Sequence, residues 1–109
     1  MASAPRMTLT TQLVLRALLA EPGAELYGAQ IGAAAGLMSG TVHPILARLE
    51  AAGWVSSRWE DLDPVQAGRP ARRYYRLTGE GIEQARARLA ERRAPQSARL
   101  APRPVAGES

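Results

Sequence analysis

The chain has 109 residues, 46% of them hydrophobic, and a formal net charge of +4 in which every basic residue is Arg. That length supports one small domain, and its core is thin in bulky side chains because Phe is absent, so extra burial through self-association makes energetic sense. Absence of Cys excludes disulfides, thiolate metal sites and Cys nucleophiles, and the lone His43 argues against a His-based zinc centre. Met1–Thr11 has no secretory apolar core and no apolar run reaches bilayer length, so the expectation is a soluble, cytoplasmic protein without membrane contact.

Met1–Met7 reads as an unstructured lead-in. Thr8 is placed to cap a helix running to about Ala20, with Leu9, Leu13, Ala17 and Leu18 on one face and Val14, Leu15 and Leu19 widening it. Glu21-Pro22-Gly23 ends that helix. A second helix is expected from Tyr27 or Gly28 to Ala35, with Tyr27, Ile31 and Ala34 inward and Gly36 closing it in a left-handed turn. The third has Ser39 as its expected N-cap, Val42, Ile45, Leu46 and Leu49 as its core face, and Gly53 as its stop. Pro44 removes an amide donor and crowds the carbonyl of Gly40, which predicts a kink or a delayed helix start, eased by the missing Gly40 side chain.

Trp54–Asp61 reads as a strand, Leu62–Ala71 as a turn carrying Asp-Pro, Gly and Arg-Pro, and Arg72–Leu77 as the returning strand. Thr78 then caps a last helix, 79–93, which Ala94-Pro95 breaks, leaving residues 94–109 as a disordered tail. The fold class is therefore mainly α with a two-stranded wing, a winged helix-turn-helix over residues 8–93.

Charge placement sharpens this. Residues 1–53 carry three Arg against three acids, 54–78 five against three, and 79–109 six against four, so all the excess lies in the second half. A helix with a small, hydroxyl-bearing N-terminus beside a basic hairpin suits duplex DNA: the helix enters the major groove and the hairpin follows the backbone. Ser39, Gly40, Thr41 and His43 at the helix tip are the candidate base or phosphate contacts. Ser39 can equally be a plain cap, and His43 can equally be a turn-packed imidazole. Arg48 either reaches a phosphate or pairs with an acid such as Glu50. Arg69, Arg72 and Arg73 are the wing candidates, with Arg72 and Arg73 on opposite faces; the alternative is a solvated edge kept soluble by charge. Arg58 and Arg76 are expected to pair with Glu60 or Asp61. Tyr27 either holds a phosphate or fills core, and Trp54 and Trp59 are expected mainly in the core. No catalytic constellation and no cofactor site is visible.

The segments Leu26-Tyr27-Gly28, Gly36–Glu50, Gly53-Trp54-Val55, Ser57–Glu60, Gly68–Thr78 and Gly81 together resemble the PadR family of bacterial transcriptional regulators over roughly Thr8–Leu89. The resemblance implies a winged helix with a C-terminal dimerisation helix. It also implies a homodimer on a partly palindromic operator, usually a repressor and often released by a small-molecule effector. His43 stands where that family usually has Tyr, and the last helix is short, as in its compact branch. Ile82, Ala85 and Leu89, with Leu9 and Leu13, are the expected dimerisation residues; the alternative is that the same face folds back on the monomer. A winged helix that binds another protein instead of DNA is the alternative, against which the wing arginines and the small helix tip argue.

Overall fold

The first helix, α1 (Leu9–Leu19), begins where Thr8 supplies a cap: its hydroxyl oxygen accepts from the Thr11 amide at 3.2 Å. The computed structural model describes residues 4–100, with side chains as far as Arg92. Residues 1–3 of the expected lead-in lie outside the described residues, and its end at Met7 is less free than its composition suggests. Met7 is buried in the core, and its carbonyl accepts from the Gln12 side chain at 3.1 Å. Val14, Leu15, Ala17 and Leu18 are the buried face of α1 together with Thr11, whereas Leu9 is 70% exposed and Leu13 half-buried. The apolar surface of α1 is wider than its contact, and packing selects only one sector.

A two-residue strand, β1 (Leu26–Tyr27), leads directly into α2 (Gly28–Ala35). Ile31 of α2 is fully buried, but Ala34 faces solvent, because the inward face is completed by Gly28 and Gly32. Gly36 closes α2 with φ 72°, the left-handed turn expected of it. Gly32 answers a second constraint: a Cβ there would lie 2.7 Å from the Leu37 carbonyl oxygen, while the Leu37 amide donates to the Gly32 carbonyl at 2.9 Å.

The next helix, α3 (Ser39–Ala51), buries Val42, Ile45, Leu46 and Leu49 as its periodicity predicts. Its cap is Met38 rather than Ser39, which is already helical and makes no cap bond. Nor does Pro44 delay the start; α3 runs through it. Only one amide is lost in a helix whose opposite face is packed along its whole length. Gly40 is not required for room, since a Cβ there would meet nothing within 4 Å.

The sheet has three antiparallel strands in the order β1–β3–β2, not two, with β2 at Val55–Trp59 and β3 at Arg73–Leu77. Val55 pairs with Leu77, Ser57 with Tyr75 and Trp59 with Arg73, while Leu26 and Tyr27 pair with Tyr75 and Tyr74. The wing loop is not all turn: α4 (Pro64–Ala67) is one short helical turn, capped by the Asp63 carboxylate accepting from the Val65 amide at 3.0 Å.

Finally α5 (Gly79–Leu100) continues past Ala94-Pro95, where the sequence predicts a break, so part of the expected tail is helical and residues 101–109 of it lie outside the described residues. The flanking Ala, Arg and Gln are strong helix formers. Thr78 anchors its start: the hydroxyl accepts from the Gly81 amide at 2.9 Å and donates to the Gly53 carbonyl at 2.8 Å. The dimer expectation changes here. Ala85 and Leu89 are buried in this chain's own core, because a core poor in large side chains recruits α5 to cover α1 and β3.

Candidate nucleic-acid interface

The helix-turn-helix formed by α2 and α3 presents an exposed tip. Ser39, Gly40, Thr41 and His43 all face solvent, with the amides of the first turn of α3 left uncapped by side chains. His43 has a local task as well. Its imidazole lies across the first residue of α2, so close that a Cβ on Gly28 would fall 2.8 Å from the imidazole Cε1. The turn-packed reading of His43 therefore coexists with an exposed edge at the tip.

From that point the surface continues into the wing. Tyr27, next to Gly28, carries the Arg72 guanidinium over its ring at 4.4 Å from the centroid. The Tyr27 ring meets Tyr74 of β3 edge-on, with centroids 5.7 Å apart and planes at 88°. The path from α3 to the hairpin thus runs through His43, Gly28, Tyr27 and Arg72. The backbone amide of Tyr27 donates to the Gln30 side chain at 3.1 Å, which fixes the start of α2 beneath it.

Register and helix packing sort the wing arginines. Arg69 is gripped by both carboxylate oxygens of Glu60, at 2.8 and 3.0 Å. Arg58 grips Glu25 at 2.7 and 2.8 Å, a partner in the segment before β1 rather than Glu60 or Asp61. Arg76 makes no ion pair among the described residues. Arg73 donates to the Ser57 hydroxyl at 3.0 Å and to Glu50 at 3.4 Å, and lies 5.4 Å from the centroid of the Trp59 ring. Glu50 is thereby taken by Arg73 and Ser57, not by Arg48, which instead lines an open cleft of about 550 Å³ with Arg6, Thr8 and Thr11. Arg72 is the wing guanidinium that stacks on an aromatic ring and has no carboxylate partner among the described residues.

These pairings set the charges. The Arg69 guanidinium holds the Glu60 carboxyl down to about 2, helped by the Arg72 amide, which donates to Glu60 at 3.2 Å. The bond from Arg58 likewise lowers Glu25, and Arg58 and Arg69 are raised in return. Arg72 and Arg73 do lie on opposite sides, as alternation predicts: Arg72 with Tyr27, Arg73 with Trp59 and Tyr75. Trp54 is buried, but Trp59 is 62% exposed, because it ends β2 beyond the reach of the core.

The model of the transcriptional regulator PadR-like family matches residues 17–87, which take in α2, α3, the sheet and the start of α5. The chain belongs to that family. A PadR family transcription regulator from Clostridium difficile has a similar fold, with a TM-score of 0.66, 23% identity, and cover of 84% of this chain and 94% of that one. A PadR family regulator from Eggerthella lenta gives 0.64, 24%, 83% and 80%. The PcaV transcriptional regulator from Streptomyces coelicolor gives 0.67 and 34% identity over 89% of this chain and 65% of PcaV. No curated protein matches. All three structures are of transcription regulators, and the winged-helix fold is common to them.

Membership of this family makes the protein a DNA-binding regulator. Among the described residues no helix is long and apolar enough to cross a membrane, and no group of three His, Asp or Glu gathers to hold a metal. The sequence reading missed Met38, which stands 81% exposed at the head of α3, and the acids that claim Arg58, Arg69 and Arg73. Met38 could have been noticed as an apolar residue abutting a small polar run. The acids left no local signal.

Proposed function

We propose that this PadR-like regulator binds a two-fold symmetric operator as a homodimer in the cytoplasm and represses transcription there. In this reading Thr41 and His43 meet base edges in the major groove, while Ser39 and the first-turn amides of α3 meet phosphates. Arg72 reaches the backbone beside them. The observation that supports it is the packing of His43 against Gly28, whose neighbour Tyr27 carries the Arg72 guanidinium, a cation with no carboxylate ion pair among the described residues. A planar guanidinium stacked by one face keeps its in-plane N–H donors directed outward, as a phosphate needs.

Leu9, Leu13 and Ile82 are what remains of the expected dimer surface: Leu9 is exposed and the other two are half-buried. Selection of bound DNA from a random duplex pool tests the whole reading. An enriched palindrome, with half-sites about one helical turn apart, is the expected outcome. Affinity should fall steeply with salt. A chain that binds no duplex even at low salt would instead be a protein-interaction module. Repression is checked separately, by transcription from a promoter carrying the enriched site with and without the protein.

A further inference from the structure

Met38 occupies the N-cap of α3, a position where Ser, Thr, Asp or Asn would accept a bond from a free amide and stabilise the helix. A thioether does neither here, and no side-chain cap bond is made. Nor does the fold use the residue for burial, since its side chain is 81% exposed. The other exposed large hydrophobics, Leu9, Trp59 and Val65, lie away from this tip, on α1, at the end of β2 and on α4.

Met38 stands next to the exposed head of α3. Thr41 sits three residues on in the first turn, its amide donating to the Met38 carbonyl at 2.9 Å, and its side chain is likewise exposed. At Gly40 between them a Cβ would meet nothing within 4 Å, so no described part of the chain requires glycine there. The tip is thus narrow and uncapped, and carries one long apolar side chain. In the major groove the apolar feature of a base edge is the 5-methyl group of thymine, and a flexible, polarisable side chain suits contact with it.

Resting on the proposed operator binding, we propose that Met38 is a specificity-determining residue that reads a thymine methyl in each half-site. It sits beside Thr41, whose hydroxyl is the polar reader. The contact adds discrimination without adding charge, so it leaves the salt dependence of binding unchanged.

The test uses the full chain and the duplex enriched from a random pool, remade with deoxyuridine in place of thymine at one position at a time. This removes only the methyl group. One position per half-site should lose about fourfold in affinity, the worth of one buried methyl. With Met38→Ala the thymine and uracil duplexes should bind equally, and with Met38→Leu most of the preference should return. Met38→Ser, which supplies the missing cap, should raise the melting temperature by roughly 5 °C while still losing the preference, so reading is separated from folding. Binding without any uracil-sensitive position overturns this inference alone. So does a preference that survives Met38→Ala and disappears in Thr41→Ser. Absence of binding to any duplex at low salt overturns the operator reading, and this inference with it.

Discussion

If Tyr27 holds Arg72 ready for a phosphate, removing the ring should weaken DNA binding although it leaves every charge in place. The guanidinium lies 4.4 Å from the ring centroid, and both side chains are half-buried, so the stacking is neither fully screened nor fully desolvated. An energy of about 1 kcal/mol is appropriate to that setting, or about fivefold in affinity. Arg72→Ala removes the cation itself: the slope of log K against log salt should fall by about 0.9, with about tenfold weaker binding near 0.1 M salt. Tyr27→Leu should cost about fivefold, and Tyr27→Phe almost nothing, because the ring remains. The double variant Tyr27→Leu with Arg72→Ala should bind no worse than Arg72→Ala alone, a coupling of about 1 kcal/mol. Fluorescence anisotropy of a labelled duplex, titrated from about 50 to 300 mM salt, measures the four variants against the wild type. Strictly additive losses would refute the positioning role. A Tyr27→Phe loss equal to that of Tyr27→Leu would instead make the hydroxyl the contact.

Arg69→Ala should leave the salt slope of DNA binding nearly unchanged, since its guanidinium is already committed to Glu60; a drop of about one unit would show that the pair opens on DNA. Gly81→Ala should be strongly destabilising, because the added Cβ would collide with the Trp54 carbonyl oxygen and fall 2.7 Å from its carbon, both backbone atoms. The gain in helix propensity, about 1 kcal/mol, is outweighed, so a net loss of about 2 kcal/mol and a melting temperature roughly 10 °C lower are expected by thermal denaturation. An unchanged melting temperature would mean that α5 shifts freely against β2. The Glu60 carboxyl is depressed in the folded state, so its contribution to stability is present above the ordinary value of 4.5 and is lost as pH falls toward about 2. Glu60→Gln should therefore flatten the acid limb of the stability profile in that window, with little change in its shape near neutrality. A wild-type limb of the same steepness would show that the pair contributes nothing measurable.

The parts of the fold that were legible in the chain are those made by neighbours. Thr8 and Thr78 cap helices because their hydroxyls reach amides three residues on. Gly36 turns the chain because the left-handed region is open to it, and the Val42–Leu49 periodicity marks the buried face of α3. The site was legible to the same depth. The small polar run at the head of α3 and the arginines of the hairpin are visible as residues, and the structure joins them through Gly28 and Tyr27, which no spacing rule connects.

The amino-acid sequence by itself determined the order and kind of the major elements, the tip of α3 and the basic character of the wing. All of these arise from interactions within a few residues, where chemistry and spacing leave few alternatives. Tertiary structure decided what each group is matched with. Arg58 takes Glu25, thirty-three residues away, and Arg69 takes Glu60, while Arg72 is left to Tyr27. Several acids are chemically equivalent partners for each arginine, and only the packing of strands, loops and helices chooses among them. The same holds for Ala85 and Leu89: an amphipathic face must be covered, but its pattern does not name the cover, and here the chain's own core supplies it.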